Sequence, residues 1–284
     1  MADASVALVT GASSGIGRSI AQRLGAAGYR VFGTSRRGAE PGGHEAPPGA
    51  SAPGLVEMLS LDVREDASVD ACVENALQRA GRIDLLVNNA GLYLRGAVEE
   101  TTLDEARALY ETNFFGTVRV TNAVLPHMRA RAHGHIINIG SLSAYFPLPF
   151  GAFYSSAKAA LLNYTEALRH EVASLGVRVS VIVPGFVRTD ISAHSERAER
   201  EIPAYAAMRR AAVGTMTRSV ERGITPDDVA AVVVRAARSA APRLVYRVGR
   251  DAAWLPRVRA ILPAALVERE TRRTFHLDTP PRDD

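Results

Sequence analysis

At 284 residues, 47% hydrophobic and 23% charged, the chain is long enough to bury a substantial core and balanced like a globular protein, which excludes disordered and collagen-like classes. A single cysteine, Cys72, excludes an internal disulfide and points to a reducing, cytoplasmic setting. The net charge of +4 is uneven: residues 197–284 hold 17 Arg against 11 acids, while residues 1–196 sum to −2. No nucleic-acid-binding motif accompanies those arginines, so they argue for solvated helix faces, an anionic substrate or a lipid surface and against nucleic acid.

The opening MADASVALVTGAS lacks a basic segment and enters an apolar strand within a few residues, so no secretory leader is expected. Strands are predicted at 5–10, 30–34, 55–60, 83–87, 134–139, 177–183 and 243–248. Between them, Ile16, Ile20 and Leu24, then Val69, Cys72, Val73 and Ala76, then Leu161, Leu168, Val172 and Leu175 mark helices with one apolar face. Cys72 is thereby expected to be a small core residue. Short β-branched runs alternating with helical patterns specify βαβ units and a seven-stranded parallel sheet covered on both faces, in one domain over 1–284. Residues 38–54, rich in Gly, Pro and Ala without hydrophobic period, read as a surface loop insertion. The charged helical stretch 190–225, which precedes a helix start at Thr225-Pro226-Asp227-Asp228, reads as a lid over a pocket. In the C-terminal extension 251–284, the apolar run Ala252–Val267 is broken by Pro256, Arg257, Arg259 and Pro263. It is too interrupted to span a membrane, which needs ~18 apolar residues, and could at most lie on a surface.

The chemistry concentrates in four places. Strand 5–10 runs through Gly11, Ala12, Ser13, Ser14, Gly15, Ile16 and Gly17 straight into a helix. Glycines at such a turn let backbone approach a pyrophosphate, and the helix start offers free N–H groups and a positive dipole end. About twenty residues on, strand 30–34 ends in Ser35-Arg36-Arg37, where an acid would grip the ribose 2′-hydroxyl of NAD. An arginine can pair with a 2′-phosphate instead, favouring NADP(H), with NAD(H) as the alternative. Tyr154 and Lys158 stand four apart on a predicted helix, hence on one face. Of the 34 basic residues 33 are Arg, and Lys158 is the only lysine; a compact ammonium is evidently wanted where a guanidinium fork would not serve. Finally Gly140-Ser141-Leu142-Ser143 follows strand 134–139, so either serine could point into a crevice at the strand's carboxyl end.

In their order along the chain, the glycine turn, Asp62-Val63, Asn88-Asn89-Ala90-Gly91, Asn113, Ser141, Tyr154, Lys158 and Pro184-Gly185 with Thr189 resemble the short-chain dehydrogenase/reductase family, in its compact Tyr-x-x-x-Lys subgroup. The resemblance covers about residues 5–190 and implies a Rossmann-like, doubly wound α/β fold. It implies that Asp62 and Val63 line the adenine, and that Asn88, Asn89, Ala90 and Gly91 support the sheet and the cofactor. Pro184, Gly185, Val187 and Thr189 would flank the nicotinamide, with Thr189 on its carboxamide. The family's thirteen-residue spacing selects Ser141 over Ser143, and Asn113 would hold a water relaying protons to Lys158. Gly140-Ser141 departs from the Ser-Ser of many relatives. The resemblance also implies a homodimer or homotetramer, and no metal site is expected.

Function follows as an expectation: hydride transfer between a nicotinamide and a carbonyl or alcohol carbon, with Tyr154 as general acid/base, Ser141 orienting the oxygen and Lys158 tuning Tyr154. Leu142, Tyr145, Phe146, Leu148, Pro149 and Phe150, with Phe186, are expected to form an apolar pocket wall. The Leu148-Pro149-Phe150 stretch is similar to that of 17β-hydroxysteroid dehydrogenases, pointing to steroid, retinoid or aliphatic carbonyl substrates. A non-catalytic dinucleotide sensor, and an epimerase or dehydratase using the same Tyr-Lys pair, are the alternatives; cofactor consumption in proportion to product separates both from net redox.

Overall fold

The structure is a computed structural model that describes residues 4–38, 56–189 and 196–278. The first half alternates β1 (Val6–Val9), α1 (Gly15–Ala26), β2 (Arg30–Ser35), β3 (Val56–Ser60), α2 (Asp66–Ala80), β4 (Leu85–Asn88), β5 (Leu94–Arg95), α3 (Leu103–Tyr110) and α4 (Gly116–Ala130). The second continues with β6 (Gly134–Ile139), α5 (Ala152–Val172), β7 (Val177–Pro184), β8 (Glu196–Arg197), α6 (Ala206–Glu221), α7 (Pro226–Ala237), β9 (Val245–Val248), α8 (Arg250–Ile261) and α9 (Ala264–Thr274). Seven strands form one parallel sheet in the order β3-β2-β1-β4-β6-β7-β9, and β5 pairs with β8 in a separate two-stranded ribbon. The seven main strands fall where the periodicity predicts them. The ribbon, two residues per strand, carries no such signal.

The tetrapeptide Val6-Ala7-Leu8-Val9 explains why the sheet is covered twice. Successive side chains of a strand point to opposite faces. Val6 and Leu8 join a core with residues of α2, α4 and the end of α5, whereas Ala7 and Val9 join another with Ile20, Leu24, Val229 and Val233 of α1 and α7. A strand buried on both sides must be apolar throughout, as this one is. Cys72 faces the first core and burial pushes its thiol up to about 11, so it packs as an inert small residue. The expected start of α7 is realised with Pro226 in the first turn and a reciprocal cap between Thr225 and Asp228.

The sheet order reverses between β1 and β4, where chain connections leave in opposite directions and a crevice opens at the carboxyl ends. Beneath it lies a buried polar chain. Asn88 Nδ2 donates to Thr121 Oγ1 (3.1 Å) and Asn138 Oδ1 (2.9 Å), and Asn138 Nδ2 donates to Thr165 Oγ1 (2.9 Å). These bonds tie β4 and β6 to α4 and α5, and α5 is the helix that carries Tyr154 and Lys158. The insertion expected at 38–54 lies, but for Gly38, outside the described residues, as do 190–195 of the expected lid and 279–284 of the extension.

Candidate active site

A cleft of about 1410 Å³ opens over the carboxyl ends of the strands. Its floor is the glycine turn. Thr10 Oγ1 accepts from the backbone N–H groups of Asn89 (2.9 Å) and Ala90 (3.0 Å), while Asn89 Nδ2 donates to the carbonyls of Thr10 (3.0 Å) and Gly11 (3.1 Å). The loops after β1 and β4 are thus stitched together, and the fit tolerates no extra carbon. Gly11 has φ +66°, and a Cβ there would stand 2.9 Å from Ala90 Cα; a Cβ on Gly17 would run into the Gly11 carbonyl oxygen. Gly15, at φ +52°, is different: a Cβ there would meet only the Thr189 side chain, at 3.7 Å. A gap therefore separates the start of α1 from Thr189, and Ser14, the N-cap residue, makes no side-chain cap bond across it. Open N–H groups at a helix start facing such a gap suit a pyrophosphate, so the residues present fit a dinucleotide.

Farther along the cleft, Ser35, Arg36 and Arg37 line the wall beyond β2, with both arginines exposed. Asp62 and Val63 lie beside them, with Asp62 held by Arg64 at 2.6 Å. Hydrogen bonding to Arg64, aided by the field of Arg36, holds the Asp62 carboxyl at about 2, so it is ionised at all ordinary pH.

At the other end stand Ser141, Tyr154 and Lys158, all on the cleft wall. Ser141, two residues past β6, is extended; its Oγ accepts from the N–H (3.1 Å) and hydroxyl (2.9 Å) of Ser143. Ser143, 2% exposed, is spent on holding Ser141. One turn along α5, the Lys158 ammonium donates to the Ile139 carbonyl (2.9 Å) and lies 5.9 Å from the Tyr154 ring centroid. Burial lowers Lys158 to about 8. Burial also raises Tyr154, and hydrogen bonding to Ser141 only partly opposes it. In the free protein the pair is therefore neutral phenol beside ammonium, whereas sequence reasoning anticipates only the lysine's downward pull on the phenol.

Among the expected site residues away from the cleft wall is Asn113. It sits fully buried in a π-helical turn, Glu111–Phe115, joining α3 to α4. Its Oδ1 accepts from Leu92 N (2.8 Å) and its Nδ2 donates to Leu92 O (2.9 Å), so both ends of its amide fix the Leu92 backbone. Asn88 likewise stays in the core, in the polar chain under the sheet.

A family model described as short chain dehydrogenase matches residues 5–200. The chain belongs to the short-chain dehydrogenase family. It is 41% identical over 184 residues to the 3-ketodihydrosphingosine reductase of Bacteroides thetaiotaomicron, an alignment covering 65% of this chain and 64% of that protein. A short-chain dehydrogenase from Streptomyces avermitilis superposes with a TM-score of 0.77 at 35% identity, covering 98% of this chain and all of the other. The 3-ketoacyl-(acyl-carrier-protein) reductase of Brucella melitensis, complexed with NADH, has a TM-score of 0.71 at 25% identity over 87% of this chain and 97% of its own. A serine dehydrogenase complexed with NADP+ has a TM-score of 0.70 at 28% identity over 85% and 93%. The protein is an oxidoreductase of CH–OH and carbonyl groups, and two of these structural neighbours hold a nicotinamide dinucleotide.

The dehydrogenase's cleft continues past Tyr154 into an apolar chamber. Leu142, Phe146, Leu148 and Phe186 line it as expected. Tyr145, Pro149 and Phe150 do not: Tyr145 packs against Val181 and Val183 with Arg247 5.4 Å over its ring, and Phe150 meets the Tyr205 ring at 6.5 Å. Within the expected lid, α6 contributes Met216 and Val220. Sequence reasoning misses the wall built by the extension, where Leu255 and Val258 of α8, Leu262 just past its end, and Val267 and Phe275 of α9 and its end close the far side. The steps of three and four residues from Leu255 through Val258 to Leu262 are a helical signal, hidden by the intervening arginines and prolines. No helix among the described residues is long and apolar enough to cross a membrane.

Proposed function

We propose that this short-chain dehydrogenase reduces an apolar ketone or aldehyde to the alcohol with NADPH, the reverse reaction being available, with Tyr154 as the general acid/base. The observation that carries the reading is the convergence of Ser141, Tyr154 and Lys158 on the cleft wall at the junction of the glycine-floored arm and the apolar chamber, with Lys158 one turn of α5 from Tyr154. When bound, the dinucleotide supplies the hydride. The carbonyl oxygen sits between Ser141 Oγ and the Tyr154 hydroxyl; as the carbon gains hydride, Tyr154 hands its proton to the oxygen, and the phenolate left behind is stabilised by the Lys158 ammonium. Neutral tyrosine, which burial favours, beside a lysine that stays charged at neutral pH against its burial cost, is the reactant state for reduction. Asn113 is a positioning residue that fixes Leu92 on the cleft wall.

Arg36 and Arg37, in the place where an NAD site carries an acid, favour NADPH by pairing with its 2′-phosphate. The apolar lining supports an aliphatic or polycyclic carbonyl, and a relative named for a long-chain ketone, 3-ketodihydrosphingosine, makes amphiphilic ketones the first substrates to try. A carbonyl panel followed by NADPH absorbance tests the reading. Tyr154→Phe should lose roughly 10²–10⁴-fold in turnover while still binding NADPH; near-wild-type turnover would overturn the assignment. In titrations, Arg36→Ala should weaken NADPH by about tenfold or more and leave NADH unchanged, and equal wild-type affinities for the two would sink the preference.

A further inference from the structure

Of the nine large apolar side chains exposed among the described residues, five fall between 254 and 266: Trp254 is 66% exposed, Ile261 82%, and Val258, Leu262 and Leu266 at least 40%. Trp254, Val258 and Ile261 recur at i, i+4 and i+7, hence on one face of α8, and Leu262-Pro263 turns the chain into α9, which adds Leu266. Val258 and Leu262 also line the cleft, beside Arg259 and Glu270, so apolar side chains of this outer face reach over the lip into the chamber. Around it stand Arg250, Arg257, Arg259 and Arg269, all exposed, and none pairs with a carboxylate among the described residues. Arg272 and Arg273, by contrast, are paired with Asp278 and Glu270.

We propose that the outer face of α8 and α9 docks on an anionic lipid surface and sets the mouth of the cleft against it. Contiguous exposed apolar side chains mark an interaction surface. A tryptophan flanked by aliphatic side chains and ringed by arginines has the chemistry of a segment lying in the interfacial plane, with apolar groups at the acyl boundary and guanidiniums on phosphates. A second copy of the chain suits the face less well. A two-fold contact would bring four arginines against four more, with only Asp251 and Glu268 of each copy's 250–278 segment left outside ion pairs to offset them. Entry of substrate from the lipid into the cleft rests on the apolar-carbonyl reading above; docking does not.

Trp254 is the chain's only tryptophan, so its emission reports this face directly. The full chain, without cofactor or substrate, is titrated with phosphatidylcholine vesicles with and without phosphatidylglycerol. The expected result is a blue shift, quenching by brominated acyl chains and co-flotation, all stronger with the anionic vesicles. Arg257→Ser with Arg269→Ser should lower partition onto anionic vesicles by roughly tenfold or more. Ile261→Ser with Leu266→Ser should abolish flotation while thermal unfolding and NADPH binding stay as in the wild type. An emission maximum unmoved by either vesicle, or flotation unchanged by the serine pair, overturns the proposal. So does a wild-type dimer that Ile261→Arg converts to monomer in solution, since the face would then be covered by a second copy. Failure of every carbonyl in the substrate panel would leave the vesicle result standing.

Discussion

Replacing Lys158 by methionine should abolish turnover and yet stabilise the free protein at neutral pH. Lys158 is 5% exposed, and burial takes it from 10.5 to about 8, which at ~1.36 kcal/mol per tenfold change in proton affinity is a penalty of about 3 kcal/mol on the charged form. Methionine keeps the stem's volume without the charge but loses the bond to the Ile139 carbonyl, a loss of about 1 kcal/mol. The net expectation at pH 7 is a gain of about 2 kcal/mol. The sign of the pH dependence follows from linkage. A lysine whose folded pKa is depressed binds fewer protons folded than unfolded between about 8 and 10.5, so wild-type stability rises relative to the variant across that window and the difference is constant below it. Urea unfolding of both proteins from pH 7 to pH 10.5 measures this. A variant less stable than wild type at pH 7, or a difference that does not change with pH, would refute the argument that the ammonium is held against its burial cost.

Two further changes test the scaffold. Gly17→Ala, which in an ordinary helix interior gains about 1 kcal/mol, should instead destabilise by about 1–3 kcal/mol and impair dinucleotide binding, because the new carbon meets the Gly11 carbonyl and Asn89 Nδ2; thermal unfolding and cofactor titration read the sign. Asn138→Ala should cost about 2–4 kcal/mol, since it leaves Asn88 Nδ2 and Thr165 short of partners in a dry core. Because that network anchors α5, NADPH affinity should survive better than turnover.

What could be read from the residues alone was whatever depends on local period or backbone approach. The double-faced burial of Val6–Val9, the glycine turn and the Tyr154–Lys158 spacing are one-dimensional signals of this kind, and the structure brings the last two into a single cleft above the cores that the first builds. Tertiary choices were less legible. Ser141 and Ser143 both line the cleft, and which hydroxyl is committed inside the turn shows only in three dimensions. That Asn113 serves Leu92 with its side chain depends on a π-helical turn with no composition of its own. Tyr145 and Phe150 have the residue types of a pocket wall, yet neighbours from distant segments, Arg247 and Tyr205, claim them. The contribution of α8 and α9 was obscured because Pro256, Arg257, Arg259 and Pro263 interrupt the apolar residues that face the cavity.

The stitching of Thr10 and Asn89 across the switch point bears on where binding entropy is spent. A floor already cross-linked by four hydrogen bonds has little freedom left to lose when a ligand arrives. Ordering on binding must then fall on the rim, on α6 and the two C-terminal helices. Amide exchange should accordingly be slow in the floor whether or not ligand is present, and the rim should carry most of the protection that ligand adds.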